Sequence, residues 1–119
     1  MYFRREIGKW GESLACQYLQ ERDYKVIERN FLCRQGEIDI IAKDITRREL
    51  VFVEVKTRTN LKYGNPAEAV TKQKLRHMRR AAEYFVYRNG LQNVAIRLDV
   101  IEVLIEKQGC VINHIKQVL

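Results

Sequence analysis

Three side chains that could bind a metal ion and activate water lie on two neighbouring apolar segments of this 119-residue chain. Glu54 and Lys56 are two positions apart in the second segment, so on a β-strand they project from the same face. Asp39 lies in the first segment, and antiparallel pairing of the two segments would bring its carboxylate alongside. A carboxylate and an ammonium on an apolar strand face cost desolvation energy unless they are paired, bound to a metal or reached by solvent. The pattern therefore predicts a polar site on the sheet.

Such a set of side chains fits the hydrolysis of phosphodiester bonds. Mg²⁺, with Mn²⁺ as a substitute, prefers carboxylate, carbonyl and water oxygens. Asp39, Glu54 and the Val55 carbonyl are the candidate ligands of an ion that polarises the phosphoryl group and activates water. Lys56 is a candidate catalytic residue that orients or deprotonates this water, or stabilises charge on the phosphate. Glu12 is a further candidate, as an extra ligand or a water-binding group, if the first helix packs over the end of the sheet.

The triplet acid–x–Lys is weak evidence on its own, because chance gives about one occurrence in a chain of this composition. The triplet Asp23-Tyr24-Lys25 also matches, at a helix end where an acid beside a lysine is ordinary surface. The Glu54 triplet differs in its context, which is an apolar strand preceded by the strand of Asp39 and followed by a basic helix. The alternative, an ion pair on an exposed sheet face, stays open at this point.

The net charge of +7 is concentrated in one segment. Residues 56–97 contain ten Lys or Arg and two acids, a net charge of +8, and the rest of the chain carries −1. A nucleic-acid backbone is the usual partner of such a segment, because neutralised phosphates release counterions. A solvated helix face is the alternative, and a membrane surface is a weaker one because no broad apolar face accompanies the charge. The candidate nucleic-acid-binding residues are Arg58, Lys62, Lys72, Lys74, Arg76, Arg79 and Arg80.

Hydrophobic periodicity in the first half of the chain predicts one helix and three strands. The helix covers residues 5–22, and the strands cover 24–29, 37–43 and 50–57, with an irregular stretch at 30–36. The polar turn at 44–49 predicts an antiparallel hairpin of the second and third strands. In the third strand, Val51, Val53 and Val55 should face one way, and Leu50, Phe52, Glu54 and Lys56 the other.

The second half of the chain predicts one helix and two strands. Asn65 as cap, Pro66 at the first position and Glu68 three residues after the cap begin the helix. It continues, with a break near Thr71, to about Asn89, and strands follow at 94–105 and 110–115. A crossover through this helix makes the fourth strand parallel to the third. The expected fold is one α/β domain, residues 1–119, with a mixed central sheet of about five strands flanked by helices.

The first helix carries Gly8, Gly11 and Ser13, poor helix formers that indicate a close approach of its backbone to another element. Its predicted apolar face consists of Ile7, Trp10, Leu14 and Tyr18. The three cysteines are widely spaced and form no CxxC pair, which is typical of reduced thiols in a cytosolic protein. No apolar run suits a signal peptide or a membrane span, so a cytoplasmic location is expected.

Several motifs resemble those of the YraN-like family of small uncharacterised bacterial proteins. The specific ones are Gly36-Glu37-Ile38-Asp39-Ile40-Ile41 and Val53-Glu54-Val55-Lys56-Thr57-Arg58, supported by Gly11-Glu12, Asn30-Phe31, Pro66-Ala67-Glu68 and Arg97-Leu98-Asp99-Val100. That family is similar to archaeal Holliday junction resolvases, in the PD-(D/E)XK nuclease superfamily. Ile38 stands where the superfamily's name has proline, which leaves the metal-ligand chemistry intact.

The resemblance implies a restriction-endonuclease-like core, assigns Asp39, Glu54 and Lys56 to the nuclease signature, and makes Glu12 the acid of the first helix. Our first hypothesis is a Mg²⁺-dependent endonuclease that acts on branched or otherwise structured DNA. The second is a catalytically silent accessory protein that binds nucleic acid with the same fold. The third is an interaction domain whose basic helix meets an acidic protein. A homodimer is expected from the resemblance, because resolvases act on two-fold symmetric junctions.

Overall fold

The computed structural model describes the backbone of residues 2–59 and 71–118, and their side chains from residue 7 onward. This part of the chain contains α1 (Tyr2–Gln20), β1 (Tyr24–Cys33), β2 (Gly36–Asp44), β3 (Glu49–Arg58), α2 (Lys72–Arg88), β4 (Ala95–Glu106) and β5 (Gly109–Ile115). The strands form one sheet in the order β1-β2-β3-β4-β5, in which β3 and β4 are parallel and the other neighbours antiparallel. The predicted mixed five-stranded sheet, its hairpin and its parallel pair are confirmed, and they are compatible with a restriction-endonuclease-like core.

The two helices cover opposite faces of the sheet, so each strand contributes to two separate cores. On β3, Val51 and Val53 pack beneath α1, whereas Leu50 and Phe52 pack beneath α2, as the alternation predicts. Each fully buried side chain of this size contributes roughly 1.5–3 kcal/mol relative to an exposed one. This packing fixes the orientation of β3, and it directs the next two even-numbered residues, both charged, to the α2 face.

Strand β1 is longer than predicted and continues to Cys33, because the expected irregular stretch is itself paired with β2. A register shift between Val26 and Glu28 and a left-handed backbone at Asn30 (φ 53°) interrupt the regular alternation without ending the pairing. Phe31 then returns to the core opposite Ile38. The sequence prediction was wrong here because polar residues around this bulge hide the strand pattern.

Helix α1 buries a face that is shifted from the predicted one: Leu14 and Tyr18 pack against the core as predicted, but they are only partly buried. Trp10 is 47% exposed, and the buried line runs instead through Gly11, Ala15 and Leu19. The reason is a close contact at Gly11, where a Cβ atom would overlap the Thr57 hydroxyl and lie 3.0 Å from the Thr57 Cβ. The predicted close approach is therefore confirmed at Gly11. Helix α1 packs on the sheet through its small residues, because they let the helix axis come nearer to the sheet.

Helix α2 begins, within the described residues, at Lys72. Its N-cap is Thr71, whose extended backbone (φ −73°, ψ 163°) accounts for the break predicted at this residue. The Thr71 hydroxyl accepts a hydrogen bond from the Lys74 backbone N–H at 3.1 Å. The predicted helix start at residues 65–68 lies outside the described residues. The predicted end is confirmed, since the helix ends at Arg88 and Gly90 has a φ of +63°. No helix in the described ranges is long and apolar enough to cross a membrane.

Candidate active site

Glu54 and Lys56 lie on the α2 face of β3, where the apolar residues of that face give way to charged ones. Glu54 is only 6% exposed. Two ammonium groups contact its Oε1 atom, Lys74 Nζ at 2.5 Å and Lys56 Nζ at 3.4 Å. Lys56 comes from the same strand and Lys74 from the first turn of α2. The two cations offset the cost of burying this carboxylate.

Asp39 joins the same site at the end of the β2–β3 ladder. The paired register of these strands ends at Ile40 opposite Val53. Beyond that point the Asp39 carboxylate replaces a backbone acceptor, and its Oδ2 atom accepts a hydrogen bond from the Val55 N–H at 2.8 Å. The structure thus brings Asp39, Glu54 and the Val55 backbone together, as the hairpin pattern predicts.

The carboxyl group of Asp39 is held in an environment that disfavours its charge. Burial is the largest cause and the neighbouring charge of Glu54 the next, and together they raise the pKa of Asp39 to about 7. The hydrogen bond from Val55 acts in the opposite direction, and the charge of Glu12 adds a further increase. No basic side chain in the described part of the chain forms an ion pair with Asp39. Asp39 is therefore the less closely paired carboxylate of the two, and the positive charge of Lys74 acts on it only through space.

The pKa values of the two lysines of the site are shifted in opposite directions. Burial and then the contact with Lys74 lower the pKa of Lys56, against the opposing effect of Glu54. Burial would also lower the pKa of Lys74, but its hydrogen bond to Glu54 and its contact with Lys56 outweigh burial and raise it. Lys56 is therefore the lysine that gives up a proton more readily, and Lys74 is the one that stays charged.

Glu12 lies at the same end of the molecule, on α1. The contact of Gly11 with Thr57 places this part of the helix against the end of β3. The Glu12 side chain is 18% exposed, and its Oε1 atom lies 3.8 Å from Arg29 Nη2. Among the described residues, no group of three or more His, Cys, Asp or Glu side chains is close enough to hold a metal ion. An ion held by Asp39 and Glu54 would have two carboxylate ligands, and a backbone carbonyl and water would be its other candidate ligands.

That donor set suits Mg²⁺ or Mn²⁺ better than zinc. Mg²⁺ is usually held by one or two carboxylates and keeps several waters, whereas structural zinc sites use four Cys or His ligands. The raised pKa of Asp39 marks a carboxylate that a cation would stabilise in its charged form. Asp39, Glu54 and the Val55 carbonyl are the residues that could hold such an ion.

A further acid on this face was missed by the sequence analysis. Glu102 of β4 stands opposite Lys56 in the parallel β3–β4 register. It is 3% exposed, and its Oε1 atom has no hydrogen-bond partner among the described residues. The signal that could have found it is the same one that singled out Glu54, an acid in the middle of an apolar strand.

The basic side chains predicted to bind nucleic acid have different surroundings. On α2, the residues at the solvent-facing surface are Lys72, Arg76, Arg79 and Arg80. Arg58 is partly buried at the end of β3, and Lys62 lies outside the described residues. Lys74, in contrast, is bound to Glu54, so it belongs to the carboxylate site in this state.

Arg97 does not contribute to the surface charge, although it lies in the basic segment of the sequence. It is 3% exposed on the α1 face of β4 and forms a bidentate pair with Asp99, with both N–O distances 3.0 Å. Its remaining N–H groups donate to Asp44 and Glu49 at 2.9 Å and to the Tyr24 hydroxyl at 2.6 Å. We call Arg97, Asp99, Asp44, Glu49, Tyr24 and His114 the Arg97 cluster.

The acids of the Arg97 cluster are well matched by donors. Burial would raise the pKa of Asp99, but hydrogen bonds from His114, Arg97 and the Gln117 N–H outweigh it and hold this pKa below its ordinary value. For Asp44 the same balance, with Arg97 as the main donor, also lowers the pKa. The sequence signal for this cluster was an Arg and an Asp alternating with apolar residues on β4.

The chain is a small α/β domain that presents two carboxylates and a lysine at the end of a hairpin. Comparison with known proteins gives the family. The model of the uncharacterised protein family UPF0102 matches residues 11–103, and the chain belongs to that family. This confirms the resemblance found in the sequence.

Relatives from several bacteria are similar to this chain over most of their length. A UPF0102 protein of Caldicellulosiruptor saccharolyticus is 50% identical over 100 residues, covering 84% of this chain and 83% of that protein. One of Clostridioides difficile is 46% identical over 112 residues, covering 93% and 94%. One of Syntrophomonas wolfei is 42% identical over 111 residues, covering 93% and 95%. None of these names states an activity.

Proposed function

We propose that this protein is a Mg²⁺-dependent nuclease domain that binds structured or branched DNA and hydrolyses its phosphodiester bonds. The observation that carries the proposal is the placement of the Asp39 carboxyl beside Glu54 and Lys56, without an ion pair of its own among the described residues. Structural ion pairs balance their charges, whereas a cation-binding site leaves carboxylates to be balanced by the ion.

Each residue of the site has a definite role in this proposal. Asp39, Glu54 and the Val55 carbonyl hold the ion. When bound, Mg²⁺ supplies Lewis-acid polarisation of the phosphoryl group and lowers the pKa of a water molecule. Lys56 orients the attacking water or accepts its proton, and in its charged form it stabilises negative charge on the phosphate. The hydrogen bond from Val55 to Asp39 keeps that carboxylate directed at the site.

The basic side chains of α2 bind the nucleic acid in this proposal. Lys72, Arg76, Arg79 and Arg80 are exposed on the helix that begins beside Glu54. Their charges attract the phosphate backbone without reading its sequence, so the proposed interface selects shape rather than base identity. Binding is therefore expected to weaken steeply as salt concentration rises.

Cleavage assays on a panel of branched and linear DNA substrates test the proposal, with Mg²⁺ and Mn²⁺ in separate series. Glu54→Gln and Lys56→Met should each reduce the cleavage rate by at least about a hundredfold, because each removes a group that acts on the reacting phosphate. Glu83→Gln, an exposed acid on α2, is the matched control and should leave the rate unchanged. Absence of cleavage by the wild-type protein on every substrate in both metals would refute the enzymatic proposal.

One observation favours the second candidate function, a silent nucleic-acid-binding module. Glu54 already has two lysine partners, so its own charge is matched in the absence of a metal. In that case the wild-type protein would bind DNA in a salt-dependent manner without cleavage. Its affinity would be the same with EDTA as with Mg²⁺, and the same for Glu54→Gln.

A further inference from the structure

Lys74 is the cation that lies closest to Glu54 among the described residues. Its Nζ atom lies 2.5 Å from Glu54 Oε1, closer than Lys56 Nζ at 3.4 Å. The Lys74 side chain is also the more accessible of the two, with an exposed fraction of 39% against 22% for Lys56. Lys74 can therefore leave the carboxylate towards solvent, whereas Lys56 is held within the strand.

The charges of the site show why Lys74 would have to leave. With both acids ionised, Asp39 and Glu54 balance Lys56 and Lys74, so the four side chains sum to zero. A divalent cation bound to Glu54 would then face an ammonium that is bound to the same carboxylate. Repulsion between like charges at such short range opposes binding of the ion while the ammonium stays in place.

The position of Lys74 on α2 indicates what its ammonium group could bind after leaving Glu54. It is the third residue of the helix after the Thr71 cap, and the first turn contains no acid. Cations are disfavoured at a helix N-terminus and anions are favoured there, because the unpaired backbone N–H groups carry partial positive charge. An anion near this turn would be attracted by the helix, by Lys72 and by Lys74 together. A backbone phosphate is the anion that the proposed substrate would bring.

We propose that Lys74 is the resident counter-ion of Glu54, which a divalent cation displaces, and that the displaced ammonium binds a phosphate of the nucleic acid. This inference rests on the proposed function. In the resting protein Lys74 stabilises Glu54 and competes with the metal. In the complex the phosphate competes for Lys74 and so frees Glu54. Metal and nucleic acid then strengthen each other's binding by the same factor, because such coupling is reciprocal.

Titration of Mn²⁺ into metal-free protein, followed by calorimetry, measures the competition without any need for cleavage. Lys74→Met should tighten Mn²⁺ binding by about tenfold relative to wild type, because the competing ammonium is gone. Lys72→Met is the matched control, since it removes the same charge from the same turn at an exposed position. It should change the affinity by less than about twofold. Thermal unfolding of each variant verifies that the domain is folded.

A second titration measures the coupling, with a branched DNA that carries phosphorothioate linkages to resist cleavage. In wild type this DNA should tighten Mn²⁺ binding by about tenfold. In Lys74→Met the tightening should be clearly smaller, whereas Lys43→Met, which removes an exposed lysine at the opposite end of the β2–β3 ladder, should retain it. A shift of tenfold corresponds to about 1.4 kcal/mol of coupling free energy.

The outcomes separate this inference from the proposed function. If wild type and Lys74→Met bind Mn²⁺ equally well, and Asp39→Ala abolishes binding, the metal site stands and the role of Lys74 is wrong. Weaker binding by Lys74→Met would also overturn the inference. If neither protein binds Mn²⁺ with or without DNA, both the inference and the metal-dependent function are wrong.

Discussion

Two clusters of charged side chains lie diagonally across the sheet from each other, and they differ in how completely their charges are matched. The Arg97 cluster lies on the α1 face, at the beginning of β3 and β4, and its guanidinium binds three carboxylates and a hydroxyl. The cluster around Glu54 lies on the α2 face, towards the end of β3, and leaves Asp39 without a basic partner among the described residues.

Two clusters with similar sequence patterns thus have opposite effects on the acids that they contain. Both consist of charged residues alternating with apolar ones on a buried strand. In the Arg97 cluster the pKa values of Asp44 and Asp99 are lowered, so the native state favours their charged forms. In the Glu54 cluster the pKa of Asp39 is raised, so the native state opposes its charge. Such opposition is tolerated where a ligand relieves it.

The largest effect expected from this comparison is that of Arg97→Met. The substitution leaves Asp99 and Asp44 buried without their cation, and it should lower the free energy of unfolding by about 3–5 kcal/mol. Urea denaturation at pH 7 measures this loss. Arg76→Met, an exposed arginine on α2, is the control and should change stability by less than about 0.5 kcal/mol. A loss below about 1 kcal/mol for Arg97→Met would mean that the cluster is not the stabilising element described above.

The next effect has the opposite sign. Asp39 has a pKa of about 7 in the folded state against an ordinary value of 3.8, so between these pH values the folded domain binds the proton more tightly than the unfolded chain. The stability of the metal-free protein should therefore fall as pH rises from about 4 to about 7. Asp39→Asn keeps an acceptor for Val55 and removes the charge. It should raise the free energy of unfolding at pH 8 by about 2 kcal/mol, roughly half the full linkage value because the group is partly exposed.

Urea titrations at pH 8 and pH 4 in EDTA test this pH dependence. The gain from Asp39→Asn should be present at pH 8 and absent at pH 4. Asp99→Asn is the contrasting variant from the Arg97 cluster. Because the folded-state pKa of Asp99 is lowered, its stabilising contribution is present at pH 8 and is lost as pH falls. Asp99→Asn should therefore destabilise the protein at pH 8, and a change of the same sign in both variants would contradict the distinction between the clusters.

The smallest of the three effects concerns the part of α1 that positions Glu12. Gly11→Ala introduces a Cβ that collides with Thr57. The overlap costs about 2 kcal/mol and the better helix propensity of alanine returns about 1, so the net loss is about 1 kcal/mol. Gly8→Ala is the matched control, since no atom lies within 4 Å of its Cβ position, and it should stabilise the protein by about 0.5–1 kcal/mol. Equal Tm shifts for the two variants would show that the close contact has no energetic role.

The sequence predicted the architecture well, because its signals were strong and local. The alternation on β3 placed Glu54 and Lys56 on one face, and the hairpin brought Asp39 to them. Gly11 indicated a close contact, although the sequence did not predict that its partner would be Thr57. These features depend on periodicity and on neighbouring strands, which a single chain displays directly.

The features that the sequence left undetermined depend on contacts between distant residues. Lys74 was one basic residue among several, and its bond to Glu54 follows from where α2 crosses the sheet. Arg97 was counted in the basic segment of the sequence. Two of its three acidic partners, Glu49 and Asp44, lie 48 and 53 positions away. The bulge that lengthens β1 was hidden because polar residues there face solvent on an edge strand. In each case tertiary packing decides a question that local pattern leaves open.

The parallel pairing of β3 with β4 has a consequence for the order of folding events. Paired residues in these strands are 46 positions apart, from Glu49 opposite Ala95 to Arg58 opposite Leu104. The β1–β2–β3 meander, in contrast, closes over short turns. Because pairing of distant segments must overcome loop-closure entropy first, the return of the chain to β4 is expected to be the slow step. Until it happens Arg97 cannot reach Asp44 or Glu49, so the chain completes its most strongly charged buried cluster only when the sheet is assembled.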